Sequence, residues 1–243
     1  MKTDLYIPRS YRTSCQNSTS TSFLVRVAQS DLFIKADMDL TSIASRFLSQ
    51  IHDDLGTYID HDISFVNSLI PISVPDYAPT VVRKMSYASS VFNVGPMASV
   101  AGAVSEEVAR YLHGYSKQVL VENGGDLYVI NHKATIISLY TDHHHPSGEL
   151  LFELQPSPGG IGICTSSGTI GHSLSFGHAR AVTVISESGY SADAAATAIC
   201  NMMQSDDDVE KAIQYARRYE EIIGLIVMMR KKIGIFGEKI KLI

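Results

Sequence analysis

Apolar and polar residues alternate with a period of two over 23–27 and again over 32–36, with the polar Gln29-Ser30-Asp31 between them, which predicts a β-hairpin. The period then lengthens. Ile43, Phe47, Leu48, Ile51 and Leu55 recur at helical spacing after Thr41, which can cap the helix, and Gly56 lies near its predicted end. Residues 60–95 contain Pro71, Pro75 and Pro79 and show little periodicity, so an ordered but irregular connection is expected there. Over 98–113 small residues give way to an amphipathic pattern, a second helix with Gly114 as its stop. The apolar runs 119–121 and 127–130 flank Asn123-Gly124-Gly125 and predict a second hairpin with a favoured Asn-Gly turn.

The second half repeats this order with one strand to spare. Strands are expected at 134–140, 150–154 and 181–185, helices at 192–203 and 206–215, and strands at 222–229 and 233–242. The fold class is therefore α+β, each half running roughly strand-strand-helix-helix-strand-strand. The halves share no residue-level repeat, so duplication rests on element order alone. No linker separates them, which favours one unit over 22–243 made of two similar halves, 22–132 and 133–243. Residues 1–21 form a polar arm that Tyr6, Ile7 and Tyr11 could anchor.

Composition narrows the function classes. The chain has 243 residues and a net charge of -5, with its 20 basic residues scattered, which argues against a nucleic-acid partner. The first residues are rich in Ser and Thr without an apolar h-region, so no signal peptide is expected. The longest apolar run, over 222–229, contains Gly224 and is far shorter than the roughly 20 residues of a membrane span. Cys15, Cys164 and Cys200 are odd in number and widely spaced, which fits reduced thiols in a cytoplasmic protein.

Candidate chemistry concentrates between residues 158 and 197. The stretch from Pro158 to Ser173 combines five glycines with the hydroxyls of Thr165, Ser166, Ser167, Thr169 and Ser173. As a loop it would expose backbone N–H groups to a phosphate or other anion, though it matches neither common nucleotide-loop pattern. Ser191 can cap the following helix, placing Asp193 in its first turn with Thr197 four residues on, on the same face. Such an oxygen pair suits magnesium, while capping alone would also explain it. Cys164 precedes Thr165 inside the glycine stretch, where free N–H groups could lower a thiol pKa; burial as a small hydrophobe is the alternative. Cys200 falls on the apolar side of its helix. His143-His144-His145 crowd a hairpin loop, and Asp206-Asp207-Asp208 read as an acidic first helical turn. Gly162-Ile163-Cys164-Thr165-Ser166 approaches a nucleophile elbow without its last glycine; His172 or His178 could serve as a base, but no spacing fixes the geometry.

Four segments occur in order: 95–103 (Gly95-Pro96-Met97-Ala98-Ser99-Val100-Ala101-Gly102-Ala103), Asn123-Gly124-Gly125-Asp126, Thr165-Ser166-Ser167-Gly168, and Ala192-Asp193-Ala194-Ala195-Ala196-Thr197. Together they resemble the ApbE superfamily, whose characterised members are FAD:protein FMN transferases, and more closely its short ApbE-like branch. The resemblance spans roughly residues 20–242. It implies a duplicated T-fold-like architecture with a ligand cleft between halves. It also implies magnesium ligands at Asp193 and Thr197, and a flavin nucleotide lined by Gly102, Asn123, Gly124, Gly125, Asp126, Thr165, Ser166, Ser167 and Gly168. The chain departs from the transferases at Ala101, where they carry lysine. It departs again over Ser173-Leu174-Ser175-Phe176-Gly177-His178-Ala179-Arg180, where they carry a His-Ile-x-Asp-Pro run.

Three functional expectations follow. Resemblance to archaeal members of the short branch implies a link to sulfur assimilation into cysteine and homocysteine, with Cys164 carrying a persulfide and sulfur-assimilation proteins as partners. A second is flavin or nucleotide binding, or divergent magnesium-dependent flavin transfer, on a small-molecule ligand. A third is a non-catalytic accessory subunit in a homo-oligomer.

Overall fold

The computed structural model describes residues 20–140, 149–168, 177–237 and 240–243. It is an α+β fold built on an eight-stranded sheet, antiparallel throughout, in the order β1-β2-β3-β4-β7-β8-β9-β10. These strands are β1 (Thr21–Val27), β2 (Ser30–Ala36), β3 (Val119–Asn123), β4 (Asp126–Asn131), β7 (Ser157–Ser166), β8 (Ala181–Ser186), β9 (Gly224–Met228) and β10 (Ile233–Phe236). A second sheet, in the order β11-β6-β5, comprises β5 (Thr135–Tyr140), β6 (Glu149–Leu154) and β11 (Ile240–Leu242).

The helices α1 (Thr41–His61), α2 (Ser64–Asn67), α3 (Thr80–Phe92), α4 (Val100–Leu112), α5 (Gly189–Met202) and α6 (Val209–Ala216) belong to one core with the inward residues of the large sheet, such as Ile34, Val121, Val184 and Leu225. The opposite face of β4, β7, β8 and β9 buries Val129, Ile161, Ile163, Ile185 and Ile226 against Ile137, Phe152 and Leu154 of the small sheet. β8 is buried at all six positions because both of its faces are covered.

The three hairpins expected at β1/β2, β3/β4 and β5/β6 form, and Gly124 and Gly125 turn the second with positive φ of 67° and 108°. Four expectations are corrected. The glycine-rich stretch is a strand over Ser157–Ser166, not a loop; it pairs with β4 on one side and β8 on the other. Gly162 is needed inside that strand because a Cβ there would strike the backbone of Gly189, and Gly160 sits at φ 89° against the Tyr128 ring. The connection at 60–95 contains α3, which starts directly after Pro79 and buries Val81, Val82, Met85, Ala88, Ser89 and Phe92. α1 runs past Gly56 to His61, and an added Cβ at Gly56 would meet nothing, so that glycine is a tolerated surface residue. The last expected strand divides into β10 and β11, which join different sheets. The arm through residue 19, the three histidines 143–145 and the segment 169–176 lie outside the described residues. Among the described residues no helix is long and apolar enough to cross a membrane.

Candidate functional site

α4 and α5 touch through their backbones. A Cβ on Gly102 would meet the carbonyl of Gly189, and one on Gly189 would meet the carbonyl of Gly102. α5 can lie this deep because Ala192, Ala194, Ala195 and Ala196 present almost no side-chain bulk and are fully buried. It begins at Gly189 rather than at 192. Ser188 is its cap, accepting from Ser191 N–H, so the capping role expected of Ser191 belongs to Ser188 and Asp193 falls in the second turn. From there the Asp193 carboxylate reaches the start of α4, where Gly102 N–H donates to Oδ2 over 2.9 Å and Ala101 N–H also donates. Reciprocally, Glu106 of α4 accepts from Gly189 N–H over 2.7 Å and from Ser188 Oγ over 3.0 Å at the start of α5.

The floor beneath this crossing is the β4–β7 pair. Asp126 begins β4 immediately after the Asn123-Gly124-Gly125 turn, and its Oδ1 accepts from Thr165 N–H of β7 over 2.9 Å. Ser105 of α4 donates to the Asp126 carbonyl over 2.9 Å, tying helix to strand. Cys164 shares this face: its thiol lies 3.6 Å from the Gly189 carbonyl and within reach of the Asp126 carboxylate. Ser166 Oγ and Thr197 Oγ1 are 3.0 Å apart, joining the end of β7 to α5. On the other face of the sheet Thr165 Oγ1 pairs with Thr183 Oγ1 at 2.8 Å. Ser167 and Gly168 follow the strand, and Gly168 N–H donates to the Ala179 carbonyl over 2.9 Å.

The electrostatics are dominated by buried acids. Burial raises the Asp126 carboxyl to about 7; the charge of Glu122 adds to this, and the bond from Thr165 opposes it. Asp193 is held well above the ordinary carboxylate range, first by burial and then by Asp126, against the donation from Gly102 and Ala101. Among the described residues neither carboxylate forms an ion pair.

Gly102, Asp126, Cys164, Thr165, Ser166, Asp193 and Thr197 are thus brought together. Asn123, Gly124 and Gly125 stand beside them as the hairpin turn, with open space next to both glycines. The expectation of an accessible, acidic Cys164 is overturned. The residue is 0% exposed, and burial, with Asp126 and Asp193 next, pushes its thiol well above the ordinary range. Glu106, Ser188 and Gly189 belong to the arrangement and were not singled out from sequence, although the Glu106–Arg110 spacing is that of a helical ion pair, 2.7 Å in the structure.

A magnesium ion fits this donor set in part. Among the described residues no three His, Cys, Asp or Glu side chains are grouped to hold a metal. Asp193 with the Thr197 hydroxyl offers the sparse oxygen set of an ion that draws its remaining ligands from water and phosphate.

A family profile described as AbpE bacteria matches residues 12–221. The UPF0280 protein of Methanocaldococcus jannaschii is 43% identical over 190 residues, covering 76% of this chain and 77% of its own. That of Methanopyrus kandleri is 38% identical over 229 residues, covering 91% and 92%. Among solved structures, a mutant of the flavin transferase ApbE from Vibrio cholerae aligns with a TM-score of 0.62 at 15% identity, over 91% of this chain and 98% of that one. The apo flavinyl transferase ApbE of Pseudomonas stutzeri aligns with a TM-score of 0.60 at 17% identity, over 90% and 94%. At these identities the two transferases show a shared fold.

Proposed function

The chain belongs to the AbpE bacteria family, and from that premise we propose that it binds a flavin nucleotide together with magnesium where α4, α5, β4 and β7 meet. One observation carries the reading. Asp126 and Asp193 are buried side chains from different halves of the chain, each destabilised as an anion and neither in an ion pair among the described residues. Two such carboxylates cost stability unless a cation offsets them, and structures retain that cost where function uses it.

Asp193 and Thr197 would hold the ion, with Ser166 steering the Thr197 hydroxyl. The turn 123–125 and the segment 165–168 would face the nucleotide, since glycine backbone and short hydroxyls can approach phosphate oxygens closely. When bound, magnesium supplies charge neutralisation and polarisation of a phosphoryl oxygen. The fold of the two flavin transferases supports a flavin as the nucleotide. The sheet order supports a duplicated T-fold-like descent: β1–β4 and β7–β10 each contribute four consecutive strands with helices between the second and third, and β5/β6 is inserted at the junction. The link to sulfur assimilation through Cys164 is not retained, because persulfide exchange needs an accessible thiolate.

The test is titration of the protein with flavin adenine dinucleotide, with and without magnesium. Magnesium should tighten binding by at least about tenfold, and Asp193→Ala should abolish that gain with the far-ultraviolet dichroism unchanged. Equal affinity of the native chain with and without magnesium would overturn the reading.

A further inference from the structure

The two helices at the proposed cation site begin on each other's carboxylates. Asp193 of α5 accepts from Gly102 at the start of α4, and Glu106 of α4 accepts from Gly189 and Ser188 at the start of α5. The contacts lie one helical turn apart along both helices, 102 to 106 and 189 to 193, so the pair forms an antiparallel clasp. Glu106 is buried with both oxygens engaged: Oε2 takes the two α5 donors, and Oε1 takes Arg110 Nε over 2.7 Å. Arg110 is itself held over the Tyr128 ring, 5.1 Å from its centroid. The helices cross at Gly102 against Gly189, with the Cβ atoms of Asp193 and Glu106 packed beside the two glycines, and Tyr190 Oη of α5 donates to Glu107 Oε1 of α4 over 2.7 Å. Of the groups at this crossing, Glu106 makes the most bonds to the start of α5, one to the Gly189 N–H and one to the Ser188 hydroxyl.

We infer that Glu106 is a positioning residue for the cation site: by holding the first turn of α5 it sets Asp193 and Thr197 against Gly102, Asp126 and Ser166. Its functional half rests on the magnesium–flavin reading above. Its structural half is independent of that reading, because it concerns whether Asp193 stays on the Gly102 N–H. Asp193 is bonded by Gly102 and Ala101, and Thr197 by Ser166, while Glu106 lies a turn away and acts on them through α5.

Two readouts on the full chain separate the halves. The first is amide exchange at Gly102 and Gly189 without ligand; the second is the magnesium concentration that half-saturates the gain in flavin adenine dinucleotide affinity. Glu106→Ala should speed exchange at both amides about tenfold or more and raise the magnesium requirement by a factor of about 10 to 100, the usual cost of losing an outer group that orients a ligand. Glu106→Gln keeps an acceptor for Gly189 and should restore most of both. If Gln is as damaging as Ala, the charge matters rather than the position, and the inference is wrong. It is equally wrong if Glu106→Ala frees Gly189 while Gly102 stays protected. Should Glu106→Ala not fold, Ser188→Ala removes one of the two donors and should move Gly102 exchange about threefold in the same direction; no movement there would overturn the inference. A native chain without magnesium-dependent binding sinks the proposed function, and Gly102 exchange then decides the positioning role by itself.

Discussion

The two faces of the central strands are built from alternate residues of the same segments and obey opposite rules. On β4, Leu127 and Val129 point to the small sheet while Asp126 and Tyr128 point to the helices; on β7, Ile161 and Ile163 oppose Gly162, Cys164 and Ser166. One face buries branched aliphatic side chains against Phe152, Ile137 and Leu154. The other buries carboxylates, hydroxyls and bare backbone under α5. Hydrophobic burial is favourable and non-directional, whereas a buried carboxylate is costly until it finds a partner. Both faces bury apolar side chains, but the helix side also commits part of its area to buried carboxylates, and substitutions at Phe152 and at Asp126 should differ in sign.

The largest effect is expected on the apolar face. Phe152 is fully buried on β6 opposite Ile137. Phe152→Ala should lower the unfolding free energy by ~3–5 kcal/mol, a large share of the ~5–15 kcal/mol of an ordinary domain, as read by urea denaturation. Magnesium-dependent flavin affinity per folded molecule should stay within about twofold, because the cavity opens on the face away from Asp193. A large fall in affinity would show that the faces are not separable.

On the polar face the sign reverses. The folded Asp126 carboxyl titrates near 7, above the ~3.9 of an unfolded chain, so the native state keeps a proton that the unfolded state releases. Its stabilising contribution is complete below about pH 4 and is lost as pH rises through about 7. Asp193 is shifted in the same direction and adds to the slope. Asp126→Asn retains an oxygen for Thr165 N–H and removes the charge. It should be more stable than the native chain at pH 8 by ~2 kcal/mol, with no gain at pH 4. Magnesium added to the native chain should flatten the same slope. If denaturation midpoints between pH 4 and pH 8 run parallel for the two proteins, the carboxylate is not the strained group it is taken to be.

What the sequence disclosed follows the same division. Period-two patterning located the hairpins correctly, because β1, β2, β5 and β6 carry ordinary side chains on at least one covered face. β7 was concealed, since glycines at 159, 160 and 162 mimic a loop. The reason for Gly162 is a neighbour at residue 189, a contact that no local pattern reports. The apolar spacing of Val81, Val82, Met85, Ala88 and Phe92 did signal α3, but three prolines just upstream obscured it. The candidate site was legible as segments, and the structure brings Asp126, Ser166, Asp193 and Thr197 near one another. Glu106 was not, because its partners are backbone and hydroxyl groups 82 and 83 residues away along the chain.

The smallest effect is expected at the residue that sequence alone made most reactive. Cys164 lies on the polar face, yet it pairs with Val184 of β8 and belongs to the helix-side core. Its one proton has neutral company at the Gly189 carbonyl and a carboxylate beside it, and both favour the thiol over the thiolate. A buried free cysteine of this kind behaves as a small hydrophobe. Cys164→Ala removes one sulfur and one weak hydrogen bond, so it should cost only ~1 kcal/mol and leave flavin affinity unchanged. Alkylation supplies the direct measurement. At pH 8 the native chain should leave Cys164 unmodified by iodoacetamide over a period in which the urea-unfolded chain reacts fully, since thiolate fraction and access both favour the unfolded state. Rapid labelling of Cys164 in the folded chain would mean that the polar face opens to solvent at β7. The carboxylates would then be hydrated rather than strained, and the contrast between the two faces would lose its physical basis.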